Sequence, residues 1–429
     1  MIKIKQILKK TPLRPLYWKM LHRWPFKVIR KRRAAKWKNH TLYEVFPACY
    51  KKACSQPVDP NRVVFVENRI DHIGNSFSIL YEELTEHYNF DVRVHFLREN
   101  FVSKREYEKR CKDFLQDMAG AKYVFLSEAN PVVSCIELRP ETKVTQLWHA
   151  CGAFKKFGMS TADTKFGPDR EGHKRHPLYR NYSLVTVSSP EIIWAYAEAM
   201  DLIGQEDIIA ATGISRTDIF FRQKDIDAAY SHLYEKFPAA RGKKVILFAP
   251  TFRGRVANAK TAEAFDVVKF AEAFSDEYVL VMKHHPLVRE LPVLPEDLKD
   301  RFVYDGTNTM TIEDLLMVSD ICISDYSSLI FEYSLFTRPM LFFAYDIDEY
   351  YDWRGFYYNY DEMTPGPVCK TNEEMIDWIR HVDERFDRQQ VIDFREKFMS
   401  ACDGHATERI LKLAIGEDDL NAHRRSAGT

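Results

Sequence analysis

The sequence predicts an α/β protein of two doubly wound domains that face each other across a cleft. Three observations predict this class. The chain has 429 residues, too many for one ordinary core. From about residue 60 onward, short apolar runs alternate with amphipathic segments, which indicates parallel sheets covered by helices. A charged, helix-prone stretch at 225–244 separates two such series, so we expect the domain boundary there.

The apolar runs predict the strands of each sheet. In the first series they are 63–66, 92–97, 123–126, 144–147, 184–187 and 208–211. In the second series they are 245–249, 278–282, 302–304, 321–324 and 340–343. Helical spacing occurs at 76–87 and 191–200. Doubly wound domains bind ligands at the carboxyl ends of their strands, so functional residues are expected just after these runs.

Composition excludes several classes of protein. Hydrophobic residues make up 45% of the chain and charged residues 29%, which is typical of a folded protein and excludes wholesale disorder. No stretch approaches the roughly 20 apolar residues of a membrane span, and no signal peptide is recognisable. The eight cysteines lack paired metal-ligand spacing. We therefore expect a protein inside the cell with structural thiols.

The N-terminal segment is strongly basic. Residues 1–43 hold fourteen Lys or Arg and no Asp or Glu, whereas the other residues hold 48 basic and 62 acidic side chains. Prolines interrupt the segment at Pro12, Pro15 and Pro25, which predicts short amphipathic pieces rather than one long helix. Such pieces suit an anionic membrane surface. A solvated basic tail and nucleic-acid binding are the alternatives, and nucleic acid is the least favoured.

A serine-rich turn predicts an anion site in the second domain. Ser324-Asp325-Tyr326-Ser327-Ser328 ends a predicted strand and leads into a helical run. The N–H groups and positive dipole end of a helix start, together with two hydroxyls, can hold a diphosphate. The alternative is that Ser327 or Ser328 merely caps the helix.

Histidines follow two predicted strands. Trp148-His149 is succeeded by Gly152 and by the paired cations Lys155 and Lys156, so His149 can act as a general base while a lysine offsets phosphate charge. His285, in Lys283-His284-His285-Pro286, can contact phosphate or protonate a leaving group. The alternative for both is a structural histidine. No carboxylate or cysteine at helical spacing accompanies His284 and His285, which argues against metal binding.

Arginines and aromatic residues complete the pattern. Arg216, in Thr212-Gly213-Ile214-Ser215-Arg216-Thr217-Asp218, and Arg253 each follow a strand, where a guanidinium can grip phosphate through two hydrogen bonds. A surface salt bridge is the alternative for each. The stretch from Arg354 to Tyr358 and the triplet Pro365-Gly366-Pro367 predict an aromatic loop that shapes the cleft or simply packs.

In this order, the motifs over roughly residues 140–370 resemble the CDP-glycerol glycerophosphotransferase family, which primes and extends teichoic-acid-like polymers. The resemblance implies a GT-B type fold and makes His149 and His285 the two catalytic histidines. It implies a nucleotide site formed by Thr212, Gly213, Arg216, Asp218, Arg253, Asp325, Ser327 and Ser328. Lys155, Lys156 and Arg354 are further predicted substrate ligands. The chain departs from the family in Ala150-Cys151-Gly152-Ala153, where polymerases often have Gly-Thr-Pro, and this leaves the acceptor preference open.

The resemblance implies transfer of glycerol phosphate or ribitol phosphate from a CDP-activated donor to a hydroxyl of a lipid-linked acceptor, with release of CMP. It implies a peripheral location on the cytoplasmic side of the cell membrane. We expect no organic cofactor, and the residues themselves argue against a resident metal and a nucleic-acid partner; dependence on a divalent cation stays open. A GT-B glycosyltransferase using a sugar nucleotide and a non-catalytic, membrane-attached nucleotide-binding protein are the alternatives. The expected divisions are a membrane-associating segment (1–58), an acceptor domain (59–230), a CDP-donor domain (231–415) and a tail (416–429).

Overall fold

Two parallel six-stranded sheets form the framework of the protein. The structure is a computed structural model and describes residues 24–164, 167–254, 259–348 and 355–426, without the side chains of residues 24–27. The first sheet consists of β1 (Asp59–Glu67), β2 (Asp91–Phe96), β3 (Ala121–Leu126), β4 (Lys143–Gln146), β5 (Leu184–Thr186) and β6 (Ile209–Ala210). The second consists of β7 (Lys244–Phe248), β8 (Tyr278–Met282), β9 (Val303–Asp305), β10 (Ile321–Ser324), β11 (Met340–Phe343) and β12 (Val368–Cys369).

The strand order is β2-β1-β3-β4-β5-β6 in the first sheet and β12-β11-β10-β7-β8-β9 in the second. Central strands are buried along most of their length, as in β10, because helices cover both faces of the sheet. The edge strand β2 is only half-buried throughout. The predicted pair of doubly wound sheets is confirmed. The short edge strand β12 was not predicted, because two residues leave almost no apolar run in the sequence.

Helices connect the strands on both faces of each sheet. Those that precede or surround the first sheet are α1 (Trp24–His40), α2 (Phe46–Ala53), α3 (Asn75–His87), α4 (Lys104–Ala119), α5 (Pro131–Ser134), α6 (Arg170–Arg175), α7 (Ile193–Ala199) and α8 (Gln223–Lys236). Those of the second half are α9 (Val267–Phe274), α10 (Ile312–Val318), α11 (Leu329–Tyr333), α12 (Tyr360–Met363), α13 (Asn372–Arg380), α14 (Val382–Arg385) and α15 (Arg388–Met399). The chain closes with α16 (Ala406–Ala414) and α17 (Glu417–His423).

The basic N-terminal segment differs from its prediction where the structure describes it. Residues 1–23, with Pro12 and Pro15, lie outside the described residues. Pro25 is the second residue of the 17-residue α1 as described, and the helix continues without a break to His40. Residues 29–36 are all exposed, with cations on successive positions all round the helix. For this part, the expectation of short amphipathic pieces is therefore wrong.

The last two helices return to the first sheet. Ile410 and Leu411 of α16 belong to the same core cluster as Val63 and Phe65 of β1. Tyr123 of β3 donates a hydrogen bond to the Ile415 carbonyl oxygen (3.1 Å). The chain thus crosses from the first sheet to the second and back. Among the helices that the structure describes, none is both long and apolar enough to cross a membrane.

Candidate active site

His149 follows the carboxyl end of β4, and Trp148 turns the chain at this point. The φ of Trp148 is +61°, a left-handed conformation that bulky residues rarely adopt. Its N–H donates to Gln146 Oε1 (3.0 Å), and the centroid of its ring lies 4.5 Å from that of the His149 ring. Trp148 is buried whereas His149 is exposed. The turn thus buries the indole and leaves His149 exposed.

The surroundings of His149 lower its pKa to about 4. Desolvation by the protein atoms around the ring is the largest cause, followed by the positive charge of Arg216. A hydrogen bond with the Ser127 main chain acts in the opposite direction, and Arg69 lowers the pKa further. Because His149 is exposed, its desolvation is incomplete. The positive charges of Arg216 and Arg69 lower the pKa in the same direction as desolvation does. The imidazole is neutral near pH 7 and can accept a proton.

The loop that carries His149 packs against helix α11 of the second domain. Gly152 donates its N–H to Ser188 Oγ (3.0 Å) and has a φ of +61°. A Cβ atom at this position would lie 2.5 Å from the ring of Phe331, which belongs to α11. Only glycine allows this approach. The predicted base and the predicted anion-binding turn therefore belong to elements in direct contact.

The serine-rich turn lies at the topological switch point of the second sheet. Strands β7 and β10 are neighbours, yet the chain proceeds from β7 towards one edge of the sheet and from β10 towards the other. Such a point opens a crevice at the carboxyl ends of the two strands, where doubly wound folds bind ligands. Thr251 and Arg253 follow β7, and Asp325 follows β10. The strand order, rather than the motif alone, makes this a candidate ligand site.

Asp325 and Arg253 join the two sides of this crevice. The buried Asp325 accepts the N–H of Thr251 (2.8 Å) and the Nη1 of Arg253 (2.8 Å). Arg253 also forms a bidentate ion pair with Asp346. Burial alone would lower the pKa of Arg253, but the carboxylates of Asp325 and Asp346 raise it above its usual value. Arg253 is thus a fixed cation held between two carboxylates, and donor binding by Arg253 or Asp325 stays a prediction.

The two serines occupy the start of a short helix. Ser328 is the N-cap residue of the five-residue α11, and its side chain forms no capping hydrogen bond. Ser327 Oγ accepts the N–H of Leu329 at 3.4 Å, a weak contact. Both serines are half-buried. Neither hydroxyl forms a strong capping hydrogen bond. Donor binding by Ser327 and Ser328 stays a prediction.

The two histidines after β8 differ in environment. His284 is buried, its N–H donates to Thr307 Oγ1 (3.0 Å), and burial lowers the pKa of its ring. His285 is half-buried, and its Nδ1 accepts the N–H of Leu287 (3.1 Å). This bond assigns the proton of the neutral His285 ring to Nε2. Within the described ranges, no three His, Cys, Asp or Glu side chains cluster as a metal site requires.

Arg216 is committed to a buried ion pair between the domains. Its Nη2 lies 2.7 Å from Glu332 Oε2, on α11, and both side chains are largely buried. Burial raises the pKa of Glu332, while Arg216 opposes that shift. Arg216 Nε has no hydrogen-bond partner among the described residues. The structure therefore gives Arg216 a bridging role and leaves its predicted contact with the donor untested.

Thr212, Gly213 and Asp218 contact the returning C-terminal segment. Asp218 accepts the N–H groups of Ala406 (3.1 Å) and Thr407 (2.7 Å), and so caps α16. The Thr212 carbonyl accepts a hydrogen bond from Arg409, and a Cβ at Gly213 would lie 2.1 Å from the Ala401 oxygen. These three residues have structural partners, and their predicted contact with the nucleotide stays a prediction.

The aromatic loop joins the His149 side of the cleft to the second domain. Lys155 pairs with Phe356 in an isolated antiparallel bridge, and the N–H of Lys156 donates to the Gly355 oxygen (3.2 Å). The Phe356 ring lies 5.3 Å from the Phe154 ring, centroid to centroid. Both lysines are half-buried in this seam. Arg354 lies outside the described residues, so its predicted role stays open.

Sequence reasoning missed several charged residues at the same edges. Asp346 follows β11 and Arg69 follows β1, so the rule that flagged His149 would have found both. Glu332 and Glu313 lie on helices, where the sequence alone predicts ordinary solvent-exposed carboxylates. Glu313 is in fact buried and accepts a hydrogen bond from Asn75 Nδ2 (2.7 Å) across the cleft. Only the packing of the two domains distinguishes these carboxylates from surface ones.

Two facing parallel sheets, with ionisable and hydroxyl side chains after the carboxyl ends of their strands, define a two-domain α/β protein of the GT-B-like class. The wall teichoic acid polymerase TagF has the same fold, with a TM-score of 0.72 and 21% identity over 92% of this chain and 99% of that one. The family model described as CDP-glycerol:poly(glycerophosphate) glycerophosphotransferase matches residues 48–415. The chain belongs to this family, which confirms the resemblance drawn from the motifs.

Curated relatives support the same assignment. The teichoic acid poly(ribitol-phosphate) polymerase of Bacillus spizizenii is 37% identical over 88% of this chain, which spans 58% of that protein's length. The teichoic acid ribitol-phosphate primase of the same organism is 32% identical over 85% of this chain and 94% of its own. A TagF variant soaked with CDPG also superposes on this chain with a TM-score of 0.72.

Proposed function

We propose that this protein transfers a polyol phosphate, glycerol phosphate or ribitol phosphate, from a CDP-activated donor to a hydroxyl of a lipid-linked acceptor in teichoic-acid-like polymer synthesis. The observation that carries the proposal is the contact between Gly152 and Phe331. It brings the loop of the candidate base His149 against the helix that begins at the candidate anion-binding serines. Family membership supplies the donor class.

The acceptor hydroxyl attacks the phosphorus on the polyol side of the donor diphosphate. A new phosphorus–oxygen bond forms, the bond to the CMP oxygen breaks, and CMP leaves with that electron pair. His149 takes the hydroxyl proton. Its low pKa keeps it unprotonated at neutral pH, and the charge it gains is opposed by Arg216 and Arg69. A bound diphosphate brings negative charge that raises the pKa of His149 and makes it a stronger base when the donor is present.

The second domain holds the donor. His285 presents its Nε2 proton to the diphosphate, since its Nδ1 is already an acceptor for Leu287. Ser327 and Ser328 offer hydroxyl and main-chain donors at the start of α11. Arg253 keeps this turn in place through Asp325. Thr212, Gly213, Asp218, Lys155, Lys156 and Arg354 remain further candidates for substrate contact.

The protein acts at the cytoplasmic face of the membrane as a peripheral protein. The exposed cations of α1, among them Arg30, Lys31, Arg32 and Arg33, support attraction to an anionic lipid surface. A lipid-linked acceptor lies in that surface, so attachment there brings enzyme and acceptor together.

CMP release tests the proposed function. Full-length protein is incubated with membrane extract and CDP-glycerol, CDP-ribitol or sugar nucleotides. We expect CMP from a CDP-polyol, and a fall of about 100- to 10,000-fold in His149→Ala, the usual effect of removing a general base. His87→Ala, which removes an exposed imidazole from the end of α3, is the matched control and should keep full activity.

Near-normal CMP release by a folded His149→Ala protein would contradict the base assignment. Turnover of a sugar nucleotide alone would support a glycosyltransferase. Donor binding without CMP release from any acceptor would support the non-catalytic alternative.

A further inference from the structure

The first sheet has its own switch point, between β1 and β3. Val66, Leu126 and Gln146 lie side by side in the register of β1, β3 and β4. Arg69 comes three residues after Val66, Glu128 two after Leu126, and His149 three after Gln146. The carboxyl ends of these neighbouring strands therefore bring Arg69 and Glu128 to the two sides of the crevice and His149 to the next strand.

Arg69 is a largely exposed cation whose ion pair with Glu128 is loose. Its side chain is 67% exposed, and its Nε lies 3.7 Å from Glu128 Oε2, beyond hydrogen-bond distance. Burial raises the pKa of Glu128, and the positive charge of Arg69 opposes that shift. An exposed arginine beside a catalytic base can hold an anionic group of a substrate through two parallel hydrogen bonds.

A cavity of about 310 Å³ lies between α1 and the loops after β2 and β3. Its lining includes Glu99 and Pro131. Glu99 donates its N–H to the Asn68 carbonyl (2.7 Å), and Asn130, next to Pro131, donates its side-chain amide to Asn68 Oδ1 (2.7 Å). Asn68 precedes Arg69, so the cavity and the arginine are adjoining parts of one edge.

The lining of the cavity combines an apolar wall with two lysines, Lys38 and Lys104, and with Glu99. Ala35, Trp37, Leu42, Phe46 and Val102 form much of its wall. Lys38 lies 3.9 Å from Glu99, and the Lys104 ammonium lies 4.5 Å from the centre of the Trp37 ring. An apolar wall beside two lysines complements an amphiphile that carries a phosphate on an apolar chain.

We propose that the acceptor lies along this edge, with its apolar lipid end in the cavity, a phosphate on Arg69 and its terminal hydroxyl at His149. This inference rests on the proposed function and adds the place and direction of the acceptor. Arg69 acts as a positioning residue that binds the acceptor and leaves the donor untouched.

The first test measures KM for each substrate with a short-chain, water-soluble acceptor that ends in glycerol phosphate. Arg69→Ala should raise the acceptor KM about 10- to 100-fold, the usual loss for a charge-assisted hydrogen bond, with the donor KM unchanged. Arg69→Lys should recover part of this loss. Arg388→Ala, which removes an exposed guanidinium from α15, should leave both values unchanged. An unchanged acceptor KM in Arg69→Ala, or an equal rise in the donor KM, would overturn the assignment.

The second test fills the cavity. In Ala35→Phe, the KM of a long-chain acceptor in phosphatidylcholine vesicles should rise about 10-fold, the loss expected for two buried CH₂ groups, while the KM of the short-chain acceptor stays the same. Asn39→Phe adds the same ring to an exposed position of α1 outside the lining and should change neither. Equal effects on both acceptors, or a normal long-chain KM in Ala35→Phe, would exclude the cavity as the lipid site.

These results can be told apart from failure of the proposed function. If the proposed function is wrong, the wild-type protein releases no CMP from any CDP-polyol with either acceptor. If the wild-type protein is active but Arg69→Ala and Ala35→Phe give the same KM values as their control variants, the proposed function survives and the acceptor position is wrong.

Discussion

His149 illustrates how a single side chain acquires its chemistry from neighbours distant in the chain. The sequence supplies an imidazole after a strand, with an ordinary pKa near 6.5. The fold adds desolvation and two cations, Arg216 and Arg69, which together disfavour the protonated ring. The result is a neutral base that needs the negative charge of a bound donor to become strong.

A titration of His149 checks this account. Because its pKa is lowered, the free protein should keep this ring neutral from pH 8 down to about pH 5 and protonate it near pH 4. Saturating CDP-glycerol should raise the midpoint, since added negative charge favours the imidazolium. Two-dimensional NMR of labelled imidazoles measures both values, and the His149→Ala spectrum assigns the resonance. A midpoint near 6.5 in the free protein would contradict the proposed environment.

At the scale of elements, the contact between the His149 loop and α11 depends on two glycine properties at one position. Gly152 adopts a positive φ, and its missing Cβ makes room for Phe331. Several other glycines of the chain share the first property without the second. Gly204, for example, has a φ of +85° and no atom within 4 Å of an added Cβ.

The comparison of Gly152→Ala with Gly204→Ala separates packing from backbone strain. Both substitutions place alanine in a left-handed conformation, so both should lower the free energy of unfolding by a similar backbone contribution. Gly152→Ala should cost about 1–3 kcal/mol more, because Phe331 must move. It should also reduce CMP release. Urea unfolding provides the free energies, and equal values for the two variants would show that the loop does not press on α11.

At the scale of the whole molecule, a buried ion pair and a returning chain hold the two domains together. Arg216 extends from the first domain to Glu332 on α11, and α16 and α17 pack back on the first sheet. These helices lie against the first sheet although the predicted donor domain extends to residue 415. The cleft between the sheets is thus fixed on one side by charge and on another by apolar packing.

Glu332→Gln should destabilise the protein by about 3–5 kcal/mol, because it leaves the Arg216 guanidinium buried without its counter-ion. The double variant Arg216→Met/Glu332→Leu should regain most of this loss, since well-packed apolar residues often replace a buried pair without cost. Thermal and urea unfolding measure the cycle. A single variant as stable as wild type would show that water reaches the pair.

The affinity of the same double variant for CDP-glycerol tests the predicted contact between Arg216 and the donor. If Arg216 only bridges the domains, the restored protein should bind CDP-glycerol with normal affinity. A stable double variant with weakened donor binding would instead support the nucleotide role that the family resemblance implies.

Local patterns in the chain were sufficient to predict the strands other than β12, the two-sheet class and the family. A strand buried on both faces needs an uninterrupted apolar run, and a family motif is a short stretch of neighbouring residues, so both are visible in one dimension. The run 321–324 therefore coincides with β10, and the run 63–66 lies within the longer β1. The basic segment was harder, because the pattern did not show that a 17-residue helix, α1, extends past Pro25.

Strand order and domain packing decided the rest. The switch points depend on which strands pair, and pairing joins residues as far apart as Ile246 and Ile321. For the same reason, no local pattern reveals that Arg216 is neutralised by Glu332, that Asp218 caps α16, or that Arg69 lies beside His149. Charge interactions act through space, so only the folded chain determines which cations remain available to a substrate.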